Sequence, residues 1–105
     1  MRGIWLEKGT MSYQDSLPMP VLGSDELLVK VRYAGICGTD IELQQGYYRF
    51  KGIPGHEFVG EISTGPRQGQ RVVADINIGC GNCLHCRQDL HRHCLDRKVI
   101  GIKNR

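Results

Sequence analysis

A chain of 105 residues with 40% apolar content and 14 glycines is one small domain, with a modest core and many turns. No apolar run approaches the ~20 residues that cross a bilayer, and no charged-then-apolar leader opens the chain, so a soluble, cytoplasmic protein is expected. The net charge of +3 gathers at the end, where Leu84–Arg105 carries six Lys or Arg against two Asp. These charges alternate with leucines and acids and have no aromatic residue among them for stacking, which describes a solvated face rather than a nucleic-acid surface.

In chain order, Met1–Lys8 alternates loosely around Ile4 and Leu6 and predicts a first strand. A turn at Gly9-Thr10 and a return over Met11–Gln14 would complete a hairpin. Asp15–Asp25 carries Pro18, Pro20 and Gly23 and predicts a loop. Glu26–Ile36 has the strongest strand pattern: Leu27, Val29, Val31 and Tyr33 share one face, and Lys30 and Arg32 the other. It runs into Gly35-Ile36-Cys37-Gly38, a sharp turn that exposes a sulfur, followed by a helical turn capped by Thr39 or Asp40 and ended by Gly46. Tyr47–Ile53 is irregular. His56-Glu57 opens an apolar strand through Ile62, Gly65-Pro66 and Gly69 mark a hairpin, and Gln70–Ile76 is the return strand. A short strand is expected over Val99–Ile102. Five or six short strands and one helical turn predict a mainly β fold, a small barrel or sandwich, rather than alternating βαβ units.

Between Ile76 and Val99 lies the densest chemistry. Cys80, Cys83, Cys86 and Cys94 form C-x2-C-x2-C-x7-C, with Gly79 and Gly81 freeing the backbone around the first thiolate. Four sulfurs with no obligatory open position describe a closed tetrahedral zinc site, a knuckle over residues 79–98 that fixes a loop poor in apolar residues. Two disulfides are the alternative, but Cys37 would be left over and nothing indicates an oxidising compartment. An iron–sulfur cluster is the sharper rival, although ferredoxin spacing has three residues and a proline where seven residues separate Cys86 from Cys94.

Cys37, His56 and Glu57 are a second constellation. Thiolate, imidazole and carboxylate are the donors of an open, catalytic zinc site, in which the ion polarises a carbonyl or lowers a hydroxyl's pKa. Taken alone, a single cysteine is more often a small buried hydrophobe, and a His-Glu pair more often lies on the surface.

Three strings change that weight: Gly35–Asp40 (GICGTD), Gly55–Ile62 (GHEFVGEI) and Gly69–Cys94 with its four cysteines. Together they resemble the zinc-dependent alcohol dehydrogenases of the medium-chain dehydrogenase/reductase superfamily, over nearly the whole of residues 1–105. The resemblance implies a β-barrel like that of the co-chaperonin GroES, forming an N-terminal catalytic domain, and two zinc ions. Cys37 and His56 match catalytic ligands, and Glu57 the adjacent acid that binds the metal or sits close by. Thr39 matches the hydroxyl that takes the substrate's proton, and Asp40 the carboxylate that orients the ligating imidazole. Cys80, Cys83, Cys86 and Cys94 match the structural zinc lobe. The implied substrate is a small alcohol or polyol, whose hydride passes to NAD or NADP.

Two departures qualify these expectations. Glu42 stands where many members place a histidine that hands the proton to solvent, so Glu42 or water would take that step. The nucleotide-binding G-x-G-x-x-G and the strands that close the barrel do not appear, so this stretch alone is expected neither to bind NAD(P) nor to turn over alcohol. Uncovered sheet edges predict a homo-oligomer. The alternative is a non-catalytic zinc-binding structural or interaction module, for which an open metal position would have no use.

Overall fold

The computed structural model describes residues 1–24 and 26–103. The end of the expected loop at Asp25, and the last two residues of the expected domain, lie outside the described residues. Seven short strands and one helix are arranged as three small antiparallel sheets, with no closed barrel among the described residues. The chain is mainly β, as its sequence pattern predicts.

The first hairpin pairs β1 (Gly3–Glu7) with β2 (Thr10–Gln14). Its two-residue turn is Lys8-Gly9, with both residues left-handed (φ 49° and 76°), the backbone twist that a tight hairpin favours. Leu6 is fully buried while Ile4 stays exposed, so one β1 side chain rather than two anchors the core.

A three-stranded sheet follows, with β4 (Glu57–Ile62) between β3 (Val29–Gly35) and β5 (Arg71–Val73). β3 begins three residues later than its sequence pattern suggests. Ahead of it the chain turns back at Gly23, whose N–H donates to Glu26 Oε2 (2.8 Å) and whose carbonyl accepts from Glu26 N–H (3.3 Å). The strand's apolar alternation does not build a core: Tyr33, Val59 and Val73 are paired across the sheet, and Tyr33 and Val73 are 78% and 76% exposed. β5 is also shorter than its expected span to Ile76. Asp75 Oδ1 accepts from the N–H of Asn77 at 2.9 Å, a local side-chain turn that competes with the ladder and ends it. The chain re-enters pairing as β6 (Asn77–Ile78), against β7 (Lys98–Val99).

The helix α1 (Gly38–Gln44) is capped by Cys37, not by Thr39 or Asp40 as the residue types suggest. Cys37 Sγ accepts from Thr39 N–H at 3.3 Å, and Asp40, three positions on, accepts the Cys37 N–H at 2.9 Å. This is the reciprocal capping box, with a sulfur in the place of the usual hydroxyl. Gly46, at φ 103°, lets the chain leave the helix.

The apolar core is small: Leu6, Leu43, Val99 and Ile102 are buried, with Phe50 and Ile76 packed against them. Gly101 closes it. Its φ is +65°, and a Cβ built there would lie 2.0 Å from the carbonyl oxygen of Gly55. Only glycine lets β7 and its following turn press against the residue that precedes His56. Gly101→Ala should therefore destabilise the domain by about 3 kcal/mol, combining a left-handed penalty with overpacking. Denaturant unfolding of the zinc-loaded chain measures this, and a loss below about 1 kcal/mol would contradict the close approach.

Candidate functional site

The register of β3 and β4 builds the first cluster. Gly35 is paired with Glu57 at the end of the ladder, so Cys37, two residues past β3, and His56, one residue before β4, leave the sheet at the same edge. Cys37 Sγ lies 2.9 Å from His56 Nε2. On the other side of the ring, His56 Nδ1 faces Asp40 Oδ1 at 3.6 Å, with both side chains under a tenth exposed. Neither of these two atoms has a hydrogen-bond partner, although both are buried. Asp40 therefore spends one oxygen on the Cys37 backbone and aims the other at the histidine.

The sulfur and the imidazole Nε2 fit a metal ion, with the Asp40 carboxylate behind the ring as support rather than as a ligand. One sulfur, one imidazole nitrogen and one carboxylate oxygen come within 4.8 Å of one another. Two ligands of one tetrahedral zinc sit roughly 3.5 Å apart, judged from Zn–S and Zn–N bond lengths. At 2.9 Å the sulfur and nitrogen are in hydrogen-bond contact instead. Moving the ring about half an ångström toward Asp40 would open that gap and bring the unpartnered Nδ1 within hydrogen-bond reach of Oδ1.

The remaining residues singled out from the sequence lie around this cluster. Thr39 is half-buried, and its N–H donates to the Cys37 sulfur. Glu42 is exposed farther along α1, and Glu57 is exposed with its carboxylate lying over Gly35. Neither acid joins the group of convergent donors.

The second cluster is the cysteine lobe. The sulfurs of Cys80, Cys83, Cys86 and Cys94 lie within 4.8 Å of one another, all as free thiols. Two 3-10 turns, Cys86–Gln88 and His91–His93, fold the segment back, and Cys94 is the buried member. Gly79 is required by close approach: a Cβ there would sit 2.7 Å from Cys86 Sγ and 2.9 Å from His91 Cβ.

Two of these thiols, Cys80 and Cys86, are shifted in opposite directions. Backbone N–H groups, Asn82 first and then Cys83, point at Cys80 and bring its pKa down to about 6. Desolvation pushes Cys86 up to about 11. Full ionisation of all four thiols in so small a volume calls for a cation at their centre.

A strut that sequence reasoning missed supports the lobe. Asp75 Oδ2 lies 3.0 Å from His91 Nε2, and the His91 ring, followed by the Asn77 N–H, holds the Asp75 carboxyl down at about 2. The two residues are sixteen apart in sequence, and no local pattern announces the pair.

Comparison with known proteins gives the family. The family described as the alcohol dehydrogenase GroES-like domain matches residues 23–102. The chain belongs to the alcohol dehydrogenase GroES-like domain family. Among its relatives, D-altritol 5-dehydrogenase of Agrobacterium fabrum is 36% identical over 109 residues, covering 95% of this chain and 32% of that protein. L-threonine 3-dehydrogenase of Chelativorans sp. is 35% identical over 112 residues, covering 95% of this chain and 30% of that protein. Among solved structures, an alcohol dehydrogenase (rspB) of Escherichia coli CFT073, complexed with NADH, superposes with a TM-score of 0.84 at 34% identity. That match covers 97% of this chain and 32% of the other. The chain thus spans about a third of the length of the dehydrogenases it matches. Among the described residues, no helix of this GroES-like domain is long and apolar enough to cross a membrane.

The acidities in the lobe predict an order of reaction. In metal-stripped protein at neutral pH, iodoacetamide should modify Cys80 ahead of Cys86, at a rate that rises through about pH 6. Zinc added beforehand should protect all four. Peptide mass spectrometry reads the order, and Cys86 reacting as fast as Cys80 would contradict it.

Proposed function

We propose that this domain is the N-terminal, zinc-binding catalytic part of a dehydrogenase that acts on a small alcohol or polyol. The observation that carries the proposal is the 2.9 Å approach of Cys37 Sγ to His56 Nε2 with the Asp40 carboxylate behind the ring. In this reading Cys37 and His56 hold a catalytic zinc, and Cys80, Cys83, Cys86 and Cys94 hold a structural one. Bound zinc would supply Lewis-acid polarisation of a substrate oxygen.

The chain's own residues do the rest. Asp40 Oδ1 favours the tautomer with the proton on Nδ1, which leaves the Nε2 lone pair on the sulfur's side. Through Oδ2 it also fixes the Cys37 backbone, so one carboxylate sets the position of both ligands. Thr39, whose N–H donates to the sulfur, would offer its hydroxyl to receive a substrate proton, and exposed Glu42 would pass it to solvent. Glu57 contributes negative charge at the open edge of the cluster. In the complete enzyme NAD or NADP takes the hydride, and no residue described here is assigned to it. The open edges of the β3–β4–β5 sheet support self-association into a homo-oligomer. Sedimentation should show it, and a sharp monomer at high concentration would count against it.

Cobalt substitution tests the open site separately from catalysis. In the cobalt-loaded chain, a polyol should perturb the visible absorption of the Cys37–His56 site and leave the sulfur-to-metal bands of the cysteine lobe unchanged. His56→Ala should abolish the response while retaining the lobe's bands. A response that survives His56→Ala, or none in the parent chain, would sink the reading and leave a non-catalytic zinc module.

A further inference from the structure

Away from both sulfur clusters, a cavity of about 480 Å³ lies against β1 and the turn that follows α1, and none of Cys37, Asp40 and His56 lines it. Three aromatic rings, Trp5, Tyr48 and Phe50, face it together with three cations, Arg49, Lys51 and Lys103, and no acidic side chain is among its walls. One of these cations is already matched: Lys51 Nζ pairs with Glu7 Oε1 at 2.7 Å. The other Glu7 oxygen accepts the Trp5 indole N–H at 3.2 Å, which holds the ring in place. Arg49 and Lys103 form no ion pair among the described residues.

The backbone holds this wall in an unfavourable conformation. Tyr48 and Arg49 are adjacent non-glycine residues, both left-handed at φ 56° and 46°. The turn that contains them is fixed by Arg49 N–H donating to Gly46 O and by the reciprocal bonds between Leu6 and Gly52, at 2.8 and 3.0 Å. The Tyr47 and Tyr48 rings lie against each other, tilted by 45° with centroids 4.3 Å apart. Strain maintained in this way, beside unmatched charge, is the pattern of a ligand clamp rather than of a packing element.

The lining also narrows the ligand's chemistry. Glu7 neutralises one of the three cations, and the two left without an ion pair attract an anion, while aromatic walls favour a ring over a flexible chain. A neutral polyol would find side-chain donors but few acceptors. We propose that this cavity binds a small organic anion bearing a planar ring, with Arg49 and Lys103 on the anionic group and the aromatic residues against the ring. The anion is a carboxylate or a phosphate monoester, which present the same charge-assisted acceptors to a guanidinium.

Trp5 is the chain's single tryptophan and lines this wall, so its emission reports on the cavity. The zinc-loaded chain is titrated with phenyl phosphate, benzoate, inorganic phosphate and benzamide. Phenyl phosphate or benzoate, whichever anion the site prefers, should shift the emission saturably below about 10 mM. Inorganic phosphate, lacking the ring, and benzamide, lacking the charge, should each bind at least about tenfold more weakly. Arg49→Gln and Lys103→Gln, shown by circular dichroism to be folded, should each weaken the preferred anion by about tenfold. Response to benzamide equal to that for benzoate, unchanged affinity in both variants, or no saturable response to either ring-bearing anion would overturn the proposal.

Discussion

The antiparallel ladder between β3 and β4 is the constraint from which the first cluster follows. Because Gly35 is opposite Glu57, the turn after one strand and the approach to the other meet at a single edge, and Cys37 comes to His56 across nineteen residues of sequence. A slip of one residue would turn Glu57 to the other face and carry His56 away from the sulfur. The short helix adds the third member. Its first turn is fixed by a sulfur–amide and a carboxylate–amide bond, so the interactions that start α1 also aim Asp40 at the histidine. Local folding and site assembly are here the same set of contacts.

The cysteine lobe rests on a different balance. Among the described residues, the packed apolar cluster has four buried members, none of them from residues 79–94, where Cys94 alone is buried. What holds that stretch is the mutual approach of four sulfurs, the close pass of Gly79 beneath Cys86, and the Asp75–His91 strut to the start of β6. Backbone N–H groups hold Cys80 low and desolvation holds Cys86 high, and a bound divalent cation would favour the ionised form of both. A lobe of this kind derives its order from coordination rather than from apolar burial.

Much of this was legible in the sequence for definite reasons. Cysteine spacing survives translation into space because a two-residue gap is a local turn, and the glycines around Cys80 are read directly. The Cys37–His56 approach was legible only through resemblance, since composition alone makes a single cysteine a core residue. Other features resisted reading because they depend on competition or tertiary context. Asp75 stops β5 through its own side chain inside an apparently continuous strand. The alternation of Val31 and Tyr33 predicts a buried face that the fold leaves in solvent. The capping role of Cys37 was hidden because thiols are weak acceptors beside the hydroxyl and carboxylate two and three residues on. The left-handed pair Tyr48 and Arg49 has no signature at all, since neither residue type favours that conformation.

The division of labour between the two donor clusters is tested most directly by counting ions under native electrospray mass spectrometry. The parent chain should carry two zinc ions. Cys37→Ser combined with His56→Ala should carry one, and Cys83→Ser combined with Cys86→Ser should lose the lobe's ion. A parent chain that retains one zinc at saturating metal, with the Cys37 and His56 substitutions leaving that count unchanged, would contradict the account of an open metal site beside a closed one.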